Sequence, residues 1–147
     1  MNDAVARIED EGALRRLVLG YARAADAGDG EAFADLFCDG GTLERDGLIR
    51  GTRAELEKIP RMLREKYLRT YHQVHNCYFA VRGDEATGEI YSVAHHLRPG
   101  ADGGIEDYHI TITYQDRYIR TDGGWRFGRR EVVSRWKAVV PVDLSPI

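Results

Sequence analysis

The chain has 147 residues, 43% of them apolar and 31% charged, with a formal net charge of −3 and a pI near 6.0. That length suits one domain, residues 1–147, large enough to bury a core, and the composition excludes disorder and the basic footprint of a nucleic-acid binder. No stretch approaches the roughly 20 apolar residues of a membrane span and the N-terminus is acidic, so a cytoplasmic protein without nucleic-acid or membrane partners is expected.

From Asp3 to Ala25, Ile8, Leu14, Leu17, Val18, Tyr21, Ala22 and Ala25 recur at three- and four-residue intervals, the stripe of an amphipathic helix. Asp26-Ala27-Gly28 breaks the pattern, and Asp29 is placed to cap a short second helix through Glu31, Phe33, Leu36 and Phe37. Asp46-Gly47 between two short apolar runs predicts a hairpin within residues 40–51. Thr52-Arg53-Ala54-Glu55 has the spacing of a capping box and starts helix three, which Pro60 should kink or divide before about Tyr67. Arg61, Arg64 and Lys66, interrupted by Glu65, read as the solvated face of that helix. The period then changes. Residues 70–82, 86–97, 105–120 and 125–140 are rich in Val, Ile, Thr and aromatics, and glycine-rich turns separate them. Four long strands in an antiparallel meander, bent beneath three helices, would leave a concave space between the layers: an α+β domain around an apolar pocket.

Asp26 lies at the edge of the apolar stripe in the last turn of helix one, where the helix dipole disfavours a carboxylate. Helix energetics alone would not put it there, although a turn aspartate leading into helix two is the plainer reading. His72, in Tyr71-His72-Gln73-Val74-His75-Asn76, heads the first long strand and shares a face with Asn76, while His75 points the other way unless a bulge intervenes. A carboxylate on the far nitrogen of such a histidine would fix its tautomer for proton transfer. His95 and His96 face opposite sides, and alternation does not choose between them. No pair of the five histidines has a diagnostic metal-site spacing, Cys38 and Cys77 lack CxxC spacing, and no GxSxG turn is present. No metal, cofactor, disulfide or nucleophilic serine is therefore expected, and the cysteines read as small buried apolar residues.

The element order, together with Tyr21-Ala22-Arg23-Ala24-Ala25-Asp26, Phe33-Ala34-Asp35-Leu36-Phe37, His72-Gln73-Val74-His75-Asn76, Gly83-Asp84-Glu85-Ala86 and Gly124-Trp125-Arg126-Phe127, resembles the SnoaL-like family of the nuclear transport factor 2-like superfold over nearly the whole chain. The resemblance implies a cone-shaped, cystatin-like α+β barrel with a deep pocket. It is nearest the branch of scytalone dehydratase, bile-acid 7α-dehydratase and lindane dehydrochlorinase, in which an aspartate ending helix one pairs with a histidine at a strand head. Asp26 and His72 match those positions, and His72 with Asn76 meets the following histidine-to-asparagine pattern. By the same resemblance His96 (or His95) is a further pocket histidine, Tyr21 a pocket tyrosine and Arg130 a recurrent last-strand arginine, with Arg129 facing the other way. Arg135-Trp136 departs from the acidic residue expected before that tryptophan.

The expectation is a cofactor-independent, dehydratase-like lyase with Asp26, His72, Tyr21 and His96 as its catalytic set. A small hydrophobic ring compound would bind among Asn76, Phe33, Phe37, Tyr78, Tyr91, Arg130 and Trp136. The alternatives are a ketosteroid-isomerase- or polyketide-cyclase-like isomerase and a noncatalytic module resembling a dioxygenase small subunit. A homodimer or homotrimer through the open sheet face is expected.

Overall fold

The computed structural model describes residues 3–146. Helix α1 (Asp3–Ala27) turns Leu14, Leu17, Val18, Tyr21, Ala24 and Ala25 inward. It ends in a Schellman motif: Gly28 takes φ 72°, its N–H donates to the Ala25 carbonyl, and the Asp29 N–H donates to that of Ala24. The Arg64 guanidinium donates to the Ala27 carbonyl at 2.8 Å, placing a cation at the helix's negative end. Asp29 caps α2 (Gly30–Ala34) by accepting from the Ala32 N–H. This helix is shorter than the sequence suggested, because Phe37 begins strand β1 (Phe37–Arg45).

Asp46 and Gly47, both at positive φ, turn β1 into β2 (Leu48–Arg50) as the Asp-Gly signal predicts. The capping box forms at Thr52 and Glu55, and α3 (Arg53–Lys66) runs unbroken through Pro60. The proline removes one backbone donor, but its ring is fully buried, and that packing offsets the lost bond where a division had been expected.

Four long strands follow: β3 (Arg69–Arg82), β4 (Glu85–Pro99), β5 (Ile105–Thr121) and β6 (Gly124–Val142). They form the expected antiparallel meander, but the six-stranded sheet is mixed, in the order β2-β1-β6-β5-β4-β3, because β1 pairs in parallel with β6. The sheet curves strongly without closing, and β2 and β3 are its edges. Register shifts interrupt β3 between Val74 and Cys77, and the β5–β6 pairing at Thr111/Ile112 and Arg117/Tyr118. Such bulges bend long strands. The core lies between α1 and the concave face, where Leu14, Val18, Phe33, Ile90, Tyr118 and Phe127 are fully buried. Each such side chain contributes roughly 1.5–3 kcal/mol. No helix among the described residues is long and apolar enough to cross a membrane. Cys38 and Cys77 are free thiols, half-buried rather than fully enclosed.

Candidate active site

A cavity of about 380 Å³ opens between the concave sheet face and α3. Tyr21 of α1, His72 of β3, His96 of β4, Tyr108, Ile110 and Tyr114 of β5 and Val132 of β6 line it, and Ile59, Met62, Leu63 and Tyr67 cover it from the α3 side. Arg45, Asp46, Arg50 and Lys66 ring the opening.

Asp26 stands behind His72. Its Oδ1 accepts from the His72 Nδ1–H at 2.6 Å and from the Thr70 hydroxyl at 2.9 Å, and its Oδ2 accepts from the His72 backbone N–H at 2.8 Å. Partial burial pushes this carboxyl up, but the hydrogen bonds from His72 and Thr70 outweigh it and hold Asp26 below the usual carboxylate range. These contacts explain how a carboxylate is tolerated at a helix C-terminus. With Nδ1 committed to Asp26, the other edge of the His72 ring, carrying Nε2, faces the cavity. Only 8% of the His72 side chain is exposed.

The choice between His95 and His96 is resolved: His96 is 4% exposed and faces inward, edge-on to His72 with ring centroids 5.9 Å apart. Its Nδ1–H donates to the Tyr108 carbonyl at 3.0 Å, leaving Nε2 as an unprotonated acceptor. Burial, with smaller contributions from His72 and Arg45, pushes its pKa down to about 4, so the ring is neutral at pH 7. Tyr21 is 7% exposed, and burial pushes its hydroxyl far above the usual range, so it remains a proton-bearing donor.

The remaining residues predicted to bind substrate do not line this cavity. Phe33 and Phe37 belong to the aromatic core beside it, with Phe33 packed 4.8 Å from the Tyr21 ring. Arg130 is fully buried in an ion pair with Asp116 (Nη2–Oδ2, 2.6 Å), its guanidinium stacked among Tyr21, Tyr114 and Phe127 at 4.0–4.3 Å. Its Nη1 has no hydrogen-bond partner, and the ring faces around it supply the compensating negative potential. Arg129 faces outward, as expected, to Glu44 and Glu131. Asn76 does not share the face of His72: the β3 bulge adds one residue, turning Cys77 inward and Asn76 outward, where it donates to the Tyr78 hydroxyl at 3.2 Å. Tyr78, Tyr91 and Trp136 are likewise exposed, Tyr91 and Trp136 beside a depression on the convex face. The register shift near Thr111 displaces Trp136 from the inward phase.

The sequence reading missed Tyr67, whose ring lies 4.6 Å from that of His96, and the basic rim of Arg45, Arg50 and Lys66. The rim was legible only in part, since Lys66 had been assigned to a solvated face. Nothing in strand periodicity shows that the ends of β1, β2 and α3 meet at one opening.

A family profile described as a SnoaL-like domain matches residues 6–131. The chain belongs to the SnoaL-like family. No curated protein matches this SnoaL-like protein in sequence. Among solved structures it is similar to a nuclear transport factor 2-like protein with a cystatin-like fold from Novosphingobium aromaticivorans (27% identity, 88% of this chain and 84% of that one, TM-score 0.74). It also shares its fold with a protein provisionally described as a scytalone dehydratase from the same organism (21% identity, 95% and 93% covered, TM-score 0.80). A third similar structure is a type 2 hexachlorocyclohexane dehydrochlorinase, LinA (18% identity, 99% and 97% covered, TM-score 0.79). Two further neighbours are described as proteins of unknown function.

Proposed function

We propose that this SnoaL-like protein is a cofactor-independent lyase that removes water from a small ring-containing alcohol activated by a nearby carbonyl, using His72 as general base and Asp26 to orient it. The observation that carries the proposal is the His72 ring held on one edge by an ionised carboxylate and open on the other to a cavity of mixed polar and apolar lining. The dehydratase and dehydrochlorinase descriptions of two structural neighbours support the same reaction class.

In this mechanism Nε2 of His72 takes a proton from carbon beside an activating carbonyl, and Asp26 stabilises the imidazolium that forms. The Tyr21 hydroxyl, kept protonated by burial, donates to the carbonyl oxygen as negative charge develops there. His96 plays a narrower part than expected: with Nδ1–H given to Tyr108, its Nε2 can only accept, so it holds the substrate hydroxyl but cannot donate to an oxyanion. The C–O bond breaks, the carbanion electron pair forms the C=C bond, and the imidazolium returns its proton to the departing oxygen. Water leaves and His72 is neutral again. Arg45, Arg50 and Lys66 at the opening, against one acidic residue, Asp46, favour a substrate whose ring enters while an anionic end stays at the rim.

Turnover of hydroxylated cyclic ketones in deuterated water tests the scheme. Asp26→Asn and His72→Ala should abolish dehydration while far-UV circular dichroism stays unchanged, and Lys66→Ala should raise KM for acidic substrates with little change in kcat. Full activity in either dyad variant would sink the proposal. Solvent deuterium entering the substrate without loss of water would instead identify an isomerase using the same base.

A further inference from the structure

The convex face of the sheet carries a second cluster that the proposed reaction does not use. His95 on β4 stands directly across from His109 on β5, and Asp107 lies two residues from His109 on the same face. Both imidazoles present Nδ1 to a single carboxylate oxygen: Asp107 Oδ2 is 2.6 Å from His95 and 3.1 Å from His109. The donor atoms of the three residues all lie within 4.8 Å of one another. In a tetrahedral zinc site, bonds of about 2.0–2.1 Å put donor atoms about 3.3 Å apart, so small side-chain rotations suffice to seat an ion among them.

The groups around the cluster hold its donors in place. The other carboxylate oxygen, Oδ1, accepts from the His96 backbone N–H at 3.2 Å, fixing the carboxylate plane. His95 Nε2 faces Gln73 Oε1 at 3.4 Å, so both nitrogens of that ring confront acceptors. A cation bound at Nδ1 would leave Nε2–H to donate to Gln73, as metal-bound histidines commonly donate their second nitrogen. The cluster is half-buried and adjoins a shallow depression beside Tyr71, Leu97 and Val142.

From this arrangement we propose that His95, Asp107 and His109 form a binding site for a divalent transition metal of the zinc class on the convex face, with a fourth position open to water or an incoming donor. Two imidazoles and one carboxylate suit Zn²⁺ and Co²⁺ better than Mg²⁺ or Ca²⁺, which require mostly oxygen ligands. The site is independent of the Asp26–His72 reading, because the sheet separates it from the cavity. Sequence spacing could not reveal it, since His95 and His109 meet only through strand pairing.

Co²⁺ titration of the untagged full chain at neutral pH provides the test. It should give a saturable visible absorption band at one equivalent, which Zn²⁺ displaces. His109→Ala and Asp107→Asn should each weaken binding at least tenfold, the asparagine keeping an acceptor for the His96 N–H. Gln73→Ala should weaken it about tenfold, and His75→Ala and His72→Ala should leave it unchanged. In the wild-type protein Zn²⁺ should shift the ring ¹⁵N resonances of His95 and His109 and spare those of His72. Absence of saturable binding, binding that persists in folded His109→Ala, or ring shifts centred on His72 would each overturn the proposal.

Discussion

Arg130 and His96 are both buried polar residues beside the cavity, and each stability consequence follows from what its neighbours do. Arg130 is held by Asp116 and three ring faces, so Arg130→Met leaves Asp116 in the core without its counter-ion, with the Tyr118 hydroxyl still donating to it. Breaking a buried pair in this way costs about 3–5 kcal/mol. Urea unfolding should show that loss, and adding Asp116→Asn should recover part of it; a loss below about 1 kcal/mol would mean that aromatic packing alone holds the site. For His96 the sign follows from its folded value of about 4 against 6.5 for a free imidazole. Above pH 6.5 both states are neutral and nothing is lost. As pH falls from 6.5 toward 4, only the unfolded chain takes up the proton, so stability falls by a total of about 3 kcal/mol. His96→Gln should flatten unfolding free energies between pH 7.5 and 4.5, whereas curves parallel to the wild type would show that other groups set the acid limb.

Helix α3 is the helix least anchored in the core, although it closes the cavity. Only Leu56 and Pro60 of its side chains are fully buried, while Ile59 and Leu63 are half-buried, and its start rests on the Thr52–Glu55 capping box. Thr52→Ala should cost about 1 kcal/mol and should speed amide hydrogen exchange in α3 while leaving β4 and β5 protected. Equal acceleration across the sheet would show instead that α3 opens only with global unfolding. This helix was legible in the sequence because its signals are local: a capping box at its start and a mixed-charge run, Arg61 to Lys66, that reads as a solvated helix face. The long strands were legible from their turns for the same reason. Their facing was not, because a bulge adds a residue without changing composition, and Asn76 and Trp136 both fell on the wrong face beyond one. Asp26 and His72 were paired through the family resemblance, and His72 keeps its expected face because it precedes the β3 bulge.

At the scale of the whole molecule, the sequence carried the layer order and the meander but not the closing partnership. β1 pairs in parallel with β6, a contact between distant parts of the chain that no turn chemistry announces, and it makes the sheet mixed. Arg45 and Arg50 reach the cavity because that pairing carries β1, and β2 with it, alongside the concave face. The open curvature also leaves β3 as a long edge strand, and unpaired edges invite pairing between molecules. Here the bulge at His75 and Asn76 divides that edge into two short regular runs, Arg69–Val74 and Cys77–Arg82, so no long continuous ladder is offered to a neighbour. Deleting Asn76 should keep every inward-facing residue of β3 in phase while joining the runs, and light scattering during mild heating should then rise earlier than in the wild type. On that outcome, the irregularity that turns Asn76 away from the cavity is also what keeps the β3 edge from pairing with another molecule.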